Sequence, residues 1–190
     1  MKKVITKSVI LTVLILVVVV LVGQMTLSIF FPQTVSDIAL KFNDKTACAN
    51  YQEKAYKKSP TFDNLALLTE RSILANDDDK IIIYAEKFID DENFIAYANS
   101  VDESYAYYIA SSLVTSLYNK GYTLKSIETA FIQTVDFEHV GPVHRLIALA
   151  SEKGDKQTLI TIKQKLITIN NNVYVNNLVQ IINEEINKIN

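Results

Sequence analysis

The sequence predicts an all-α protein in which one membrane-length helix is followed by a series of antiparallel helix hairpins. Three observations carry this. From Val9 to Phe31 the chain is apolar and holds no charge. Beyond that run, Gly121, Gly141, Gly154, Pro32, Pro60 and Pro142 all fall between periodic apolar segments. Glycine and proline are the strongest helix punctuators, so these segments are helices of roughly 12 to 20 residues. Finally, turns at Asn43-Asp44, Asn76-Asp77, Gly121-Tyr122 and Gly154-Asp155 recur at spacings of 33, 45 and 33 residues. Strand alternation is nowhere sustained.

The first element is the apolar run. Residues 1–7, MKKVITK, form a short basic tail, and residues 8–31 form the predicted transmembrane signal-anchor. As a helix, Val9 to Phe31 would extend about 35 Å, enough for a hydrocarbon core of roughly 30 Å. The alternative is a cleaved signal peptide, with Lys2, Lys3 and Lys7 as its basic region. Its cleavage site is poor, because a cut after Gly23 would leave Leu21 where a small residue is preferred, and apolar character resumes through Leu27, Ile29, Phe30 and Phe31. The lysines before the run have no acidic neighbours, whereas Lys41 and Lys45 beyond it alternate with Asp37 and Asp44. Positive flanks stay inside, so the N-terminus is expected in the cytoplasm and residues 33–190 outside it.

Composition bounds the rest. With 190 residues, the chain has room for the anchor and one domain of about 155 residues. A net charge of -2 gives no electrostatic reason to expect nucleic-acid binding, which needs clustered positive charge. Cys48 is the single cysteine, which excludes an internal disulfide and a cysteine-based zinc site, and it is expected to be a small buried residue. Abundant Ile, Asn and Lys beside only Arg71 and Arg145 suggest an AT-rich, bacterial genome.

The helices after the anchor repeat one another. Eight residues before the last three turns stand Leu68, Leu113 and Leu146; eleven before stand Leu65, Ala110 and Val143; four before stand Ser72, Leu117 and Ala150. Six residues after the four turns stand Ala49, Ile82, Ile127 and Ile160. A helix pair repeated every 33 residues with small or apolar residues at these offsets resembles the tetratricopeptide repeat. The resemblance covers residues 34–170 and implies an α-solenoid. The chain departs from the pattern seven residues before the turn, where glycine or alanine is usual and Thr69, Val114 and Ile147 stand. The 45-residue spacing requires an insertion, residues 90–103, forming a short helix or loop. Residues 172–190 place Val175, Leu178, Ile182 and Ile189 on one stripe, as a capping helix would.

Candidate chemistry is sparse. Asp136, Glu138, His139 and His144 surround a Gly-Pro turn, but the histidines are five apart with Gly141 and Pro142 between them, unlike the four-residue spacing of a zinc protease helix. Asp77, Asp78 and Asp79 read as a helix start, and neither they nor Asp90, Asp91 and Glu92 follow a calcium-loop pattern. No cofactor and no catalytic residue is predicted. Tyr105, Tyr107, Tyr108, Tyr118 and Tyr122 cluster on and beside one helix. In a tetratricopeptide-like register, Tyr108, Ser111, Thr115 and Tyr118 would line a concave groove, with His144 following in the next unit; the alternative, and the more usual outcome for aromatics at helical spacing, is that the tyrosines belong to the core. Asp63, Ala66 and Glu70 hold the corresponding places one unit earlier, so no cation is expected to clamp a carboxylate. The resulting expectation is a membrane-anchored, non-catalytic scaffold that binds a protein or peptide. Its alternatives are a structural subunit of a membrane complex, or a metal-dependent hydrolase using His139 and His144.

Overall fold

A computed structural model describes residues 2–136, 140–168 and 173–189. Among them are eleven helices and no strand: α1 (Lys2–Phe30), α2 (Pro32–Lys41), α3 (Lys45–Lys58), α4 (Phe62–Ala75), α5 (Asp78–Ile89), α6 (Phe94–Val101), α7 (Tyr105–Asn119), α8 (Thr123–Asp136), α9 (Gly141–Glu152), α10 (Lys156–Thr168) and α11 (Val173–Lys188). Within α1, Thr12–Phe30 is long and apolar enough to cross a membrane, and none of it is buried against the rest of the protein. Two of its hydroxyls are satisfied locally: Thr26 Oγ1 donates to the Val22 carbonyl at 2.8 Å and Ser28 Oγ to that of Met25 at 2.9 Å.

The four predicted turns are the four described positions with positive φ: Asn43 at 58°, Asn76 at 51°, Gly121 at 81° and Gly154 at 63°. That left-handed conformation suits glycine and is tolerated by asparagine, and it lets the next amide return to the helix it leaves. Asp44 N–H donates to the Ala39 carbonyl, Tyr122 N–H to Leu117 and Asp155 N–H to Ala150, at 2.8–2.9 Å. Three of the turns then open the following helix with an aspartate cap. Asp44 accepts from Ala47 N–H, Asp77 from Lys80 N–H and Asp155 from Thr158 N–H, at 3.0–3.2 Å. The acidic run at Asp77 is therefore a helix start.

The chain forms two compact units, Met1–Ala75 and Asn76–Asn190, and the predicted turn at Asn76 falls on their division. In the first unit α2 packs on α3 and α3 on α4. A buried polar node ties the three together. Arg71, 7% exposed, donates to Ser36 Oγ, to Gln52 Oε1 at 3.0 Å and to Asp37 Oδ1 at 2.5 Å. Ser36 Oγ in turn donates to the Cys48 carbonyl at 2.6 Å, and the Cys48 thiol is free and buried beside it.

In the second unit α7 packs against α5, α8 and α9; α8 meets α9; and α11 covers α9 and α10. Leu113 and Leu146, placed at equivalent offsets by the sequence, are both essentially inaccessible, as are Ala110, Val143, Leu117 and Ala150. The insertion is helical: α6 rests on α5 and α7 with Phe94 and Ala98 buried. It is pinned by edge-to-face rings, Phe88 to Phe94 at 4.9 Å, Phe88 to Tyr97 at 5.9 Å and Tyr97 to Tyr105 at 5.7 Å. The capping stripe is buried at Val175, Leu178 and Ile182 and half-buried at Ile189. Gly141 and Pro142 start α9 instead of ending in an exposed turn, and both are buried.

Candidate functional site

The outer surface of α7 and α9 collects most of the predicted groove residues. Tyr108 is 43% exposed, Ser111 and Thr115 are half-buried, and His144 is exposed. Two of the α7 hydroxyls turn back on their own helix, Ser112 Oγ to the Tyr108 carbonyl at 2.8 Å and Thr115 Oγ1 to that of Ser111 at 2.7 Å. Thr115 Oγ1 also accepts from Arg145 Nε at 3.3 Å, which joins α7 to α9 across this surface. Ser111 Oγ is buried and has no hydrogen-bond partner among the described residues.

Two expectations about this surface change. Tyr118 is only 5% exposed and does not present its ring there. Its hydroxyl donates to Asp155 Oδ2 at 2.8 Å, while Lys153 Nζ stands 4.5 Å from its ring centroid. Burial, and then the Asp155 carboxylate that the hydroxyl faces, push the phenol pKa well above its ordinary value. The second change concerns charge. Arg145 supplies a cation on the surface where none was expected, and it was legible as the exposed neighbour of His144. One unit earlier Ala66 is 1% exposed, so it belongs to the core of the first unit.

The tyrosine cluster thus divides. Tyr105 and Tyr118 are buried, and Tyr107 is half-buried with its ring over Gly141, where an added Cβ would lie 1.8 Å from Tyr107 Cε2. Tyr108 and Tyr122 remain exposed and can offer area to a partner.

Glu138 and His139 lie outside the described residues. Among the described ones, no group of three or more His, Cys, Asp or Glu side chains is placed to hold a metal. A separate cavity of about 330 Å³ opens at the C-terminal end of α1, lined by Phe30, Phe31, Pro32, Ala55, Lys58 and Asn64. Lys58 Nζ donates to the Phe30 carbonyl at 2.9 Å and lies 5.8 Å from the Phe30 ring centroid.

No protein-family model, curated protein or solved structure matches this chain.

Proposed function

We propose that this chain is a single-pass membrane protein with its N-terminus in the cytoplasm, whose extracytoplasmic helices are a non-catalytic scaffold for a protein or peptide partner. The anchor reading is supported by the uncharged, unburied Thr12–Phe30 stretch behind Lys2, Lys3 and Lys7. We read α7–α10 as two stacked hairpins of tetratricopeptide-like form, with α11 as the cap. Support comes from left-handed Gly121 and Gly154 at equivalent turns, from Leu113 and Leu146 buried at equivalent depths, and from α9 packing against both α7 and α8.

One observation carries the binding proposal: the Arg145–Thr115 hydrogen bond makes the outer sides of α7 and α9 one continuous surface with Tyr108 and His144 exposed on it. Such a surface offers an aromatic ring, hydroxyls and a guanidinium that can pair with an anionic group, the mixture found at binding hot spots. The test is a Tyr108→Ala plus Arg145→Ala variant, first checked for unchanged helicity. Loss of partner capture from native membranes by crosslinking supports the proposal, and full capture overturns this placement of the interface.

A further inference from the structure

Phe42, just past the end of α2, is 83% exposed, more than any large apolar residue of the membrane-length span. It ends a row. Phe31 (58% exposed), Val35 (half-buried), Ile38 (42%) and Phe42 follow one another at steps of four, three and four residues. At 3.6 residues per turn they fall within an arc of about 60°. The seat of α2 in its unit is made by other residues: Pro32 and Ser36 are buried, Ser36 bonds to Cys48 and Arg71, and Asp37 pairs with Arg71. Its own bundle therefore leaves Phe31, Ile38 and Phe42 exposed along this row, while Leu40, 41% exposed, stands off it.

We propose that α2 is an interfacial helix, with this row lying in the headgroup–acyl boundary of the bilayer that α1 crosses. The inference rests on the anchor reading. Its occupant is indicated by continuity, since Phe31 directly follows Phe30, the last residue of the span. Only Phe31, with non-helical φ -131° and ψ 55°, separates the two helices, and Pro32 starts the second. The boundary level is marked by Lys58, whose ammonium reaches the Phe30 carbonyl, the position a lysine takes where apolar and polar zones meet. Lys41 and Lys45 flank Phe42, so cations border the row at its far end too. The inference requires α2 to lie flat. An upright ten-residue α2 would lift Phe42 about 15 Å into water, whereas a flat one sets all four side chains at the depth amphipathic helices occupy.

The chain contains no tryptophan, so single substitutions give unambiguous reporters. The full chain carrying Leu21→Trp, Ile38→Trp or Phe42→Trp is reconstituted in phosphatidylcholine–phosphatidylglycerol vesicles with or without bromine on the acyl chains. Leu21→Trp, at the middle of the span, reports the anchor itself. Ile38→Trp and Phe42→Trp should each lose about half their emission to brominated lipid and be shielded from aqueous iodide, as for residues at the acyl boundary. Strong quenching at Leu21→Trp with none at Ile38→Trp or Phe42→Trp overturns the inference and leaves the anchor standing. Blue-shifted emission at Phe42→Trp without lipid quenching assigns the row to a protein neighbour, a second copy included, and overturns it as well. No quenching at Leu21→Trp defeats both readings together.

Discussion

Tyr118, near the end of α7, donates its hydroxyl to Asp155, the residue that caps α10, across 2.8 Å and 37 positions of sequence. Asp155 also accepts from Thr158 N–H at 3.0 Å and Thr158 Oγ1 at 2.6 Å, so one carboxylate both starts a helix and ties it to α7. Tyr118→Phe removes the tie and keeps the ring. The expected cost is about 1.5 to 3 kcal/mol, the range for a hydrogen bond to a charged group, read as a lower urea midpoint at unchanged slope.

The same pair sets a pH dependence. Burial raises the Asp155 pKa, but hydrogen bonds from Thr158 and then Tyr118, with Lys153 nearby, outweigh it and hold the carboxyl below its ordinary 3.8. Its folded pKa is below its unfolded one, so its contribution is present above about pH 3.8 and is lost as pH falls through the lower folded value. Tyr118 acts in the opposite sense: raised above its ordinary 10.0, it contributes below about pH 10 and loses that contribution at higher pH. Urea titrations from pH 2.5 to 11 should therefore decline at both ends. Asp155→Asn should flatten the acid limb relative to the native chain, and an unchanged limb would remove Asp155 from the account.

Core equivalence can be measured. Leu113→Ala and Leu146→Ala should each cost about 2 to 5 kcal/mol through lost burial and a residual cavity. Thr115→Ala, half-buried and bonded to Arg145, should cost well under half as much. Equal losses at Thr115 and Leu113 would mean that the surface of α7 has been misassigned.

Gly141→Ala tests a close approach. The new methyl would collide with the Tyr107 ring, which must then turn away. The expected loss is about 1 to 3 kcal/mol, typical of overpacking. In a Tyr107→Ala background the same change should add little, and a full additive loss would show that the ring is not the obstacle.

How much of this was legible in the sequence depends on how far apart the interacting residues lie. Asn43, Asn76, Gly121 and Gly154 could be placed as turns because residue type and local periodicity fix a left-handed position. The burial of Leu113 and Leu146 followed from helical spacing in the same way. Tyr118 could not be placed so, because periodicity says which side of a helix a residue takes and not whether a cap in the next hairpin will accept its hydroxyl. The Arg145–Thr115 contact spans 30 positions, and the seat of Arg71 on Ser36, Asp37 and Gln52 is equally non-local. Of these contacts, the Tyr118–Asp155 bond is the one that marks a tyrosine as structural.

The Arg71 node gives a further test. Arg71→Leu leaves the inward Ser36 and Gln52 groups without their shared donor, and should cost roughly 2 to 3 kcal/mol. Arg71→Lys should recover little of it, since a lysine cannot serve three acceptors with a planar fork. Full recovery by lysine in thermal or urea unfolding would reduce the node to a simple charge.

The scaffold proposal stands most directly on where a partner touches. A photoreactive benzoylphenylalanine is placed in turn at Tyr108, at His144 and at Ile132, an exposed residue of α8, and the full chain is irradiated in native membranes. The same single adduct is expected from Tyr108 and His144, lost when Arg145→Ala is added, and none from Ile132. An adduct from Ile132 with none from Tyr108 or His144 would contradict the proposal.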